Sequence, residues 1–261
     1  MNSQCLLSEF NQGVVTLTLN RPTALNALNL ELKSALAKEI ADLAVRQEVR
    51  AVVITGAGRA FCAGGDIKEM DSSRSPAEIR DRLAALHRMV FAPLAAIEKP
   101  VIAAVNGPAF GAGLSLALAC DIVISADTAK FGLAFTLRGL VPDAGAAYRL
   151  VRLMGLGRVK DLAFTGRIFG AEEACNFGIV QKVVGADDLA VEVQNYAATL
   201  AQGATRAIGL TKRLLDLAPH SSLESMTEHE IGAVIQAIGT SDHAEALKAF
   251  TEKRPANFTG R

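Results

Sequence analysis

Two short runs of small residues are the parts of this sequence best suited to chemistry. They are FCAGGD at residues 61–66 and FGAG at residues 110–113. Because glycine and alanine have almost no side chain, backbone N–H groups in such runs stay open to a ligand atom. Each run is predicted to lead from a strand into a helix, whose N-terminus attracts negative charge. Two such loops are suited to an oxyanion hole, although the glycines also suit tight turns and close packing alone.

A single carboxylate, Asp143, is the third candidate. It lies in the turn GLVPDAG at residues 139–145, within an otherwise apolar stretch. A carboxyl group among apolar neighbours holds its proton more tightly and can exchange it near neutral pH. The structural alternative is that Pro142-Asp143 forms a type I turn, or that Asp143 is the N-cap of a helix beginning at Ala144.

The first half of the chain is predicted to alternate strands with helices. Short apolar runs predict strands at Val14–Leu19, 51–54, Val101–Val105 and 122–124. One helix is predicted to follow Asn29 as its N-cap, and another to span residues 75–97 behind a capping box of Ser75 and Glu78. The expected buried stripe of this second helix is Ile79, Leu83, Leu86, Val90, Leu94 and Ile97.

After Pro142 the chain is predicted to be almost wholly helical, with one late strand within residues 179–184. The last helices are expected near 188–201, 204–217, 221–237 and 241–251, the third behind a capping box of Ser221 and Glu224. This order indicates an α/β core over residues 1–200 and a helical region over 201–261. Wide apolar stripes on the last helices favour packing against another copy of the chain.

Composition narrows the class of protein. The 261 residues carry 27 Lys+Arg and 27 Asp+Glu, so no field of one sign attracts nucleic acid or an anionic membrane. Four cysteines are spread without a C-x-x-C pair, which favours free thiols in a reducing compartment and makes a metal site unexpected. No apolar run is long enough to span a membrane and no leader is recognisable at residues 1–7, so a cytoplasmic location is expected.

Several ordered segments resemble the enoyl-CoA hydratase/isomerase (crotonase) superfamily. They are NRPTALNAL at 20–28, TGAGRAFCAGGDIK at 55–68, KPVIAAVNG at 99–107, FGAG at 110–113, ACDI at 119–122, AKFG at 129–132 and the ending at 250–258. The resemblance implies a spiral of ββα repeats whose C-terminal helices build a homotrimer or a dimer of trimers and close the substrate pocket. It also implies an acyl-CoA thioester as substrate and no separate cofactor, since coenzyme A is part of the substrate.

The same resemblance assigns expected roles to particular positions. The N–H groups of Gly65 and Ala112 would hold the thioester oxygen, and Phe135 would line the substrate pocket and keep water out. The expected coenzyme A contacts are Ala24, Ala27, Leu28, Ala63, Asp66, Ile67 and Lys68.

Two departures from the family pattern bear on the reaction. Hydratases of this family resemble one another in two glutamates that activate water, and Ser115 and Phe135 stand at the matching positions. Asp143 instead matches the aspartate of the 1,2-epoxyphenylacetyl-CoA isomerase branch. We therefore expect an isomerase in which Asp143 moves a proton while an enolate rests in the Gly65/Ala112 hole. Hydration of a 2-enoyl-CoA, dehalogenation, ring closure, hydrolysis through Ser115 and a catalytically silent acyl-CoA binder remain alternatives.

Overall fold

The computed structural model describes residues 4–70 and 73–261. Residues 1–3 and 71–72 lie outside the described residues. The first three belong to the segment 1–7 in which no leader was expected. The predicted strand Val14–Leu19 is confirmed as β2, and it pairs with an unpredicted antiparallel strand, β1 (Leu6–Asn11). The hairpin turn has positive φ at Gln12 and Gly13, which matches the right-handed twist of the two strands.

The next elements follow the predicted order. Helix α1 (Leu30–Val45) begins at its N-cap Asn29, whose side chain accepts a hydrogen bond from Leu32 N–H. Its buried residues recur at helical spacing and include Leu32, Leu36, Ile40 and Leu43. Strand β3 (Ala51–Gly56) continues two residues beyond the predicted strand. The capping box of Ser75 and Glu78 is confirmed at the start of α2 (Pro76–Leu86).

The prediction of one continuous helix over residues 75–97 is wrong. A π-helical turn, His87–Phe91, separates α2 from α3 (Ala92–Ala96). Because a π turn adds a residue to the helical repeat, the apolar face is rotated at that point. Ile79 and Leu83 in α2 are accordingly 42% and 49% exposed, whereas the last three residues of the predicted stripe are buried.

The middle of the chain repeats a unit of strand, short strand and helix. The first repeat is β4 (Val101–Val105), β5 (Ala109–Phe110) and α4 (Ala112–Ala119); the second is β6 (Ile122–Ala126), β7 (Lys130–Gly132) and α5 (Ala146–Met154). The long strands enter a six-stranded sheet of order β1-β2-β3-β4-β6-β9, in which the last strand, β9 (Lys182–Val184), is short. The other short strands form a second sheet of order β5-β7-β8, where β8 is Ile168–Gly170. The main core lies between these layers.

The second half contains one strand more than expected, β8 (Ile168–Gly170). It pairs antiparallel with β7, and its three residues are too few to show alternation in the sequence. The remaining elements are α6 (Leu156–Thr165), α7 (Ala171–Asn176), β9 (Lys182–Val184), α8 (Leu189–Ala201), α9 (Thr205–Leu217), α10 (Leu223–Ile238) and α11 (Ser241–Glu252). The four last helices confirm the predicted ones. The boundary at residues 200/201 stays a prediction.

The capping box predicted for α10 is wrong. Its N-cap is Ser222 rather than Ser221, and the hydroxyl accepts from Ser225 N–H at 3.2 Å. The third helical position is thus a serine and not the expected Glu224. Within the ranges 4–70 and 73–261, every helix is too short or too polar to cross a membrane.

Candidate active site

The two small-residue loops lie side by side. Cys62 and Ala109 form a parallel bridge, in which Cys62 N–H donates to the carbonyl of Pro108 and Phe110 N–H donates to Cys62 O, both at 3.0 Å. The second loop then enters α4 so close to the first that a Cβ on Gly113 would overlap the carbonyl oxygen of Cys62. The glycine at 113 is therefore required by the contact between the loops.

The predicted oxyanion donors are brought together by this pairing. Gly64 has φ of +103°, and a Cβ built on it would lie 2.8 Å from Phe110 O and 3.5 Å from Ala112 N. Neither Gly65 N–H nor Ala112 N–H donates to an acceptor in the described part of the chain. Only Ala112 opens a helix, α4, because the first loop leads into a three-residue 3-10 turn, Ile67–Glu69. The expectation of a helix N-terminus behind each loop is thus wrong for the first.

The predicted coenzyme A contacts form one wall beside Gly65. Ala63 N–H donates to Leu25 O at 2.9 Å and Leu28 N–H donates to Gly64 O at 2.8 Å, which joins residues 24–28 to residues 63–66. Ala24 and Ala27 lie in the same turn, since Ala27 N–H donates to Ala24 O. Five of the predicted positions are therefore close together in space. They are Ala24, Ala27, Leu28, Ala63 and Asp66.

Asp66 is fixed by Arg21. The guanidinium of Arg21 lies 2.9 Å from the Asp66 carboxylate and also donates to the carbonyl of Ala27. The other Asp66 oxygen accepts from Lys68 N–H, which makes Asp66 the N-cap of the turn at 67–69. Burial alone would raise the pKa of Asp66, but these hydrogen bonds outweigh it and hold the pKa below its ordinary value. The carboxylate is thus a structural anion that orients the turn.

Beyond Asp66, the turn points apolar and basic groups outward. Ile67 is 61% exposed, and Lys68 is also exposed. Glu69 ties the turn to α1, because its carboxylate accepts from Leu30 N–H and lies 3.4 Å from Lys33 Nζ. Ile67 and Lys68 are consequently free to contact a ligand on the outer side of the wall.

Asp143 lies in a strained turn. Ala144 and Gly145 have φ of 51° and 83°, and the Asp143 carbonyl accepts from Ala146 N–H at 3.0 Å. The turn is centred on Ala144 and Gly145 rather than on Pro142 and Asp143, and α5 begins at Ala146 with Gly145 as its N-cap. Neither structural role proposed for Asp143 is therefore observed. Asp143 Oδ1 is buried and has no hydrogen-bond partner among the described residues. Burial raises the pKa of the Asp143 carboxyl, and the charge of Lys33 opposes that rise.

Ser115 and Phe135 connect the Asp143 turn with the hole. Ser115 lies one helical turn after Ala112, and its buried Oγ is 3.2 Å from the Asp143 carbonyl oxygen. Phe135 is 7% exposed, with ring carbons 3.8 Å from the Cβ position of Gly111. The backbone of Asp143 and the Phe135 ring therefore both lie close to the first turns of α4.

Comparison with known proteins gives the family. The family model described as enoyl-CoA hydratase/isomerase matches residues 9–261. The chain belongs to this family.

Individual relatives cover almost the whole chain. A 1,2-epoxyphenylacetyl-CoA isomerase of Escherichia coli is 38% identical over 98% of both chains, and a short-chain-enoyl-CoA hydratase of Clostridium acetobutylicum is 38% identical over 92% of both. The crystal structure of the enoyl-CoA hydratase from Bacillus anthracis superposes with a TM-score of 0.93 at 35% identity, covering 99% of this chain and 100% of that one. The fold is thus the crotonase fold expected from the sequence.

No functional role was predicted from the sequence for three residues of this crotonase site. Asn26 is fully buried, and its side chain joins Arg21 N–H to the carbonyls of Ala57 and Ala60, so it fixes the loop before Phe61. Arg21 orients Asp66, and Lys33 acts on the pKa of Asp143. Arg21 and Asn26 lie in the segment that carries the family resemblance, which was their only signal.

Two cavities lie away from the hole. One of about 530 Å³ is lined by residues of α3, α9 and α10, including Ala96, Lys212 and His229. Another of about 270 Å³ lies between the large sheet and α8, beside Thr55 and Leu189. Hydrogen-bonding groups, rather than either of these cavities, therefore identify the candidate site.

Proposed function

We propose that this crotonase-family enzyme is an acyl-CoA isomerase. Asp143 removes a proton from the acyl chain, and the electron pair left behind moves onto the thioester oxygen, which rests between Gly65 N–H and Ala112 N–H. The same carboxyl group then returns the proton at another carbon. The result is a shifted double bond or a rearranged ring with no atom gained or lost.

The observation that carries this proposal is the environment of Asp143. Its Oδ1 is buried without a partner among the described residues, and burial raises the pKa of the carboxyl. A carboxyl group whose pKa lies closer to the working pH serves both as base and as acid. One such group is sufficient for an isomerisation, because the proton removed is the proton returned.

The backbone donors supply the second requirement. A carbonyl that accepts two N–H hydrogen bonds becomes more polarised, which makes the neighbouring C–H more acidic and stabilises the enolate. Removing one donor of this kind typically costs about 10²–10³ in rate. Because only N–H groups are used, the methyl group of Ala112 is compatible with the role.

The substrate assignment belongs to the same proposal. Residues 24–28 and Ala63 would contact coenzyme A, with Asp66 holding the turn that presents Ile67 and Lys68. Phe135 would exclude water from the enolate, which an isomerase requires. We also propose that the C-terminal helices assemble a trimer or a dimer of trimers and close the pocket. A cytoplasmic location is consistent with the free thiols found at all four cysteines.

Hydration of a 2-enoyl-CoA is the second candidate, because relatives of comparable identity are named hydratases. Adding water requires a water molecule to be positioned and deprotonated. The Ser115 hydroxyl lies between two backbone carbonyl oxygens, and Phe135 has no group that accepts a proton. Asp143 would then have to activate water alone, so the isomerase is favoured.

The test uses purified protein with a 3-enoyl-CoA and a 2-enoyl-CoA. We expect the 3-enoyl-CoA to be isomerised, and Asp143→Asn to lower kcat by about 10²–10⁴, the usual contribution of a general acid or base. The matched control is Asp127→Asn, which changes an exposed aspartate on the outside of the core and leaves kcat unchanged. Hydration of the 2-enoyl-CoA that survives Asp143→Asn would contradict the proposal, as would thioester binding without turnover.

A further inference from the structure

The Ser115 hydroxyl joins the two halves of the candidate site. Its Oγ lies 3.2 Å from the carbonyl oxygen of Asp143 and 3.3 Å from that of Gly111. The residue is fully buried in the first turns of α4, the helix that presents Ala112 N–H. A hydroxyl has one proton to donate, so these two carbonyls share it. Ser115 therefore links the oxyanion side of the site to the backbone of the proposed base.

Arg149 holds the same turn from the other side. Its Nη1 lies 3.4 Å from the carbonyl oxygen of Ala144, and the guanidinium covers Gly145 so closely that a Cβ there would overlap it. The carbonyls of Asp143 and Ala144 thus each accept from a side chain belonging to a different helix. Ala144 is one of the few residues other than glycine with a positive φ, a conformation that persists only when its surroundings hold it.

Two opposing effects act on the charge of Arg149. Burial lowers its pKa, and Asp216 on α9 opposes that effect. An arginine remains charged even so, because its ordinary pKa is far above neutral. Asp216 in turn faces both Lys212 and Arg149. The guanidinium charge is consequently balanced in part by the charge of Asp216.

We propose that Ser115 and Arg149 are positioning residues that clamp the Asp143 turn and so fix the distance between the carboxyl group and the Ala112 N–H. This inference rests on the proposed isomerase function only for its kinetic consequence. Ser115 occupies a position where hydratases have a catalytic glutamate, and the clamp gives it a different task. It holds the backbone of the base and takes no proton from the substrate.

The kinetic test compares Ser115→Ala with Ser125→Ala. Ser125 is a matched control, because it is equally buried and its hydroxyl has no partner in the described part of the chain. Misplacing a reacting group by about 1 Å costs up to about 10²-fold in rate. We expect Ser115→Ala to lower kcat for a 3-enoyl-CoA by about 10-fold or more, with KM nearly unchanged, and Ser125→Ala to leave kcat unchanged.

Substitutions of Arg149 test the clamp independently of Ser115. Arg149→Gln is expected to lower kcat as Ser115→Ala does, and Arg149→Lys to restore part of the loss because it keeps a charged donor. Arg152→Gln, an exposed arginine on the same helix, is the matched control and leaves kcat unchanged. If Ser115→Ala does not fold, the Arg149 series carries the same test.

A second readout separates the clamp from the reaction. The pKa of the Asp143 carboxyl is measured by ¹³C NMR on aspartate-labelled protein, with Asp143→Asn assigning the signal. We expect the pKa to fall toward its ordinary value in Ser115→Ala and Arg149→Gln, because a loosened turn admits water. This shift is expected even if Asp143→Asn proves fully active and the isomerase assignment fails. An unchanged pKa together with an unchanged kcat in both variants would overturn the clamp.

Discussion

The oxyanion loops and the Asp143 turn are held in place by different forces. The loops are fixed by backbone pairing between Cys62 and Ala109 and by a glycine contact that leaves no room for a methyl group. The turn follows a stretch, residues 137–141, that is exposed throughout, and it has two consecutive positive φ angles. Side chains from neighbouring helices, Ser115 and Arg149, contact its carbonyls.

This difference separates a general function from a specific one. Backbone N–H groups serve any thioester whatever the side chains around them, so the hole can remain while the reaction changes. In the proposed mechanism the reaction depends on the carboxyl group of Asp143, which lies on a turn whose carbonyls accept from Ser115 and Arg149. Substitutions in the Asp143 turn should therefore lower activity sharply and change the stability of the protein little. Substitutions in the loops should lower activity and stability together.

The largest effect is expected when the contact between the loops is broken. In Gly113→Ala, the new methyl group would overlap the carbonyl oxygen of Cys62, so the loops must separate and Ala112 N–H must move from Gly65. We expect kcat/KM to fall by about 10²-fold or more, as for loss of an oxyanion donor. The melting temperature should fall as well, which calorimetry or circular dichroism measures.

The matched control is Gly232→Ala, which also lies within a helix. A methyl group there would meet no described atom within 4 Å, so the variant should be as stable as the parent or up to about 1 kcal/mol more stable. Wild-type activity and stability in Gly113→Ala would show that the loops are not held by the contact described.

The smallest effect is expected on the stability of the protein, and on how that stability depends on pH, when Asp143 is replaced. Because folding raises the pKa of Asp143, ionising this group costs stability at any pH above the raised value and costs nothing below the ordinary one. Asp143→Asn removes that cost. The variant should therefore be more stable than the wild type at pH 8, and the difference should shrink as the pH falls to 4.

Chemical denaturation at both pH values measures this difference. Asp127→Asn is the control, since it alters an exposed aspartate and should show no such pH-dependent gain. A variant at Asp143 that is equally or less stable than the wild type at pH 8 would mean that the carboxylate is not desolvated in the folded protein.

Local signals explain which elements the sequence predicted. Asn29 and Ser75 precede periodic apolar residues, and both cap helices in the structure. The π turn at His87–Phe91 had a different local signal, Pro93, which lies two residues after it. Because proline has no N–H, it removes a hydrogen bond from the interior of the helix predicted over residues 75–97 and favours a break there. Strand β8 is three residues long and depends on its pairing with β7.

The same distinction holds within the site. That Gly65 and Ala112 lie close together could be predicted, because the family segments and the small-residue runs coincide there. The clamp on Asp143 could not, because Ser115 and Asp143 are 28 residues apart and meet only when α4 and the turn pack together. Nothing in the sequence distinguishes Arg149 from other arginines of amphipathic helices. Its role depends on the contact with the Ala144 carbonyl, which only the structure shows.

The most direct measurement follows one hydrogen atom. A 3-enoyl-CoA labelled with deuterium at C2 is converted in ordinary water, and the product is examined by NMR or mass spectrometry. If Asp143 both removes and returns the proton, part of the label should appear at C4 in the wild-type product, and Asp143→Asn should turn over less than about 1% as fast. Absence of the abstracted deuterium from C4, with all of it exchanged into water, or isomerisation by Asp143→Asn at the wild-type rate, would contradict the one-carboxylate mechanism.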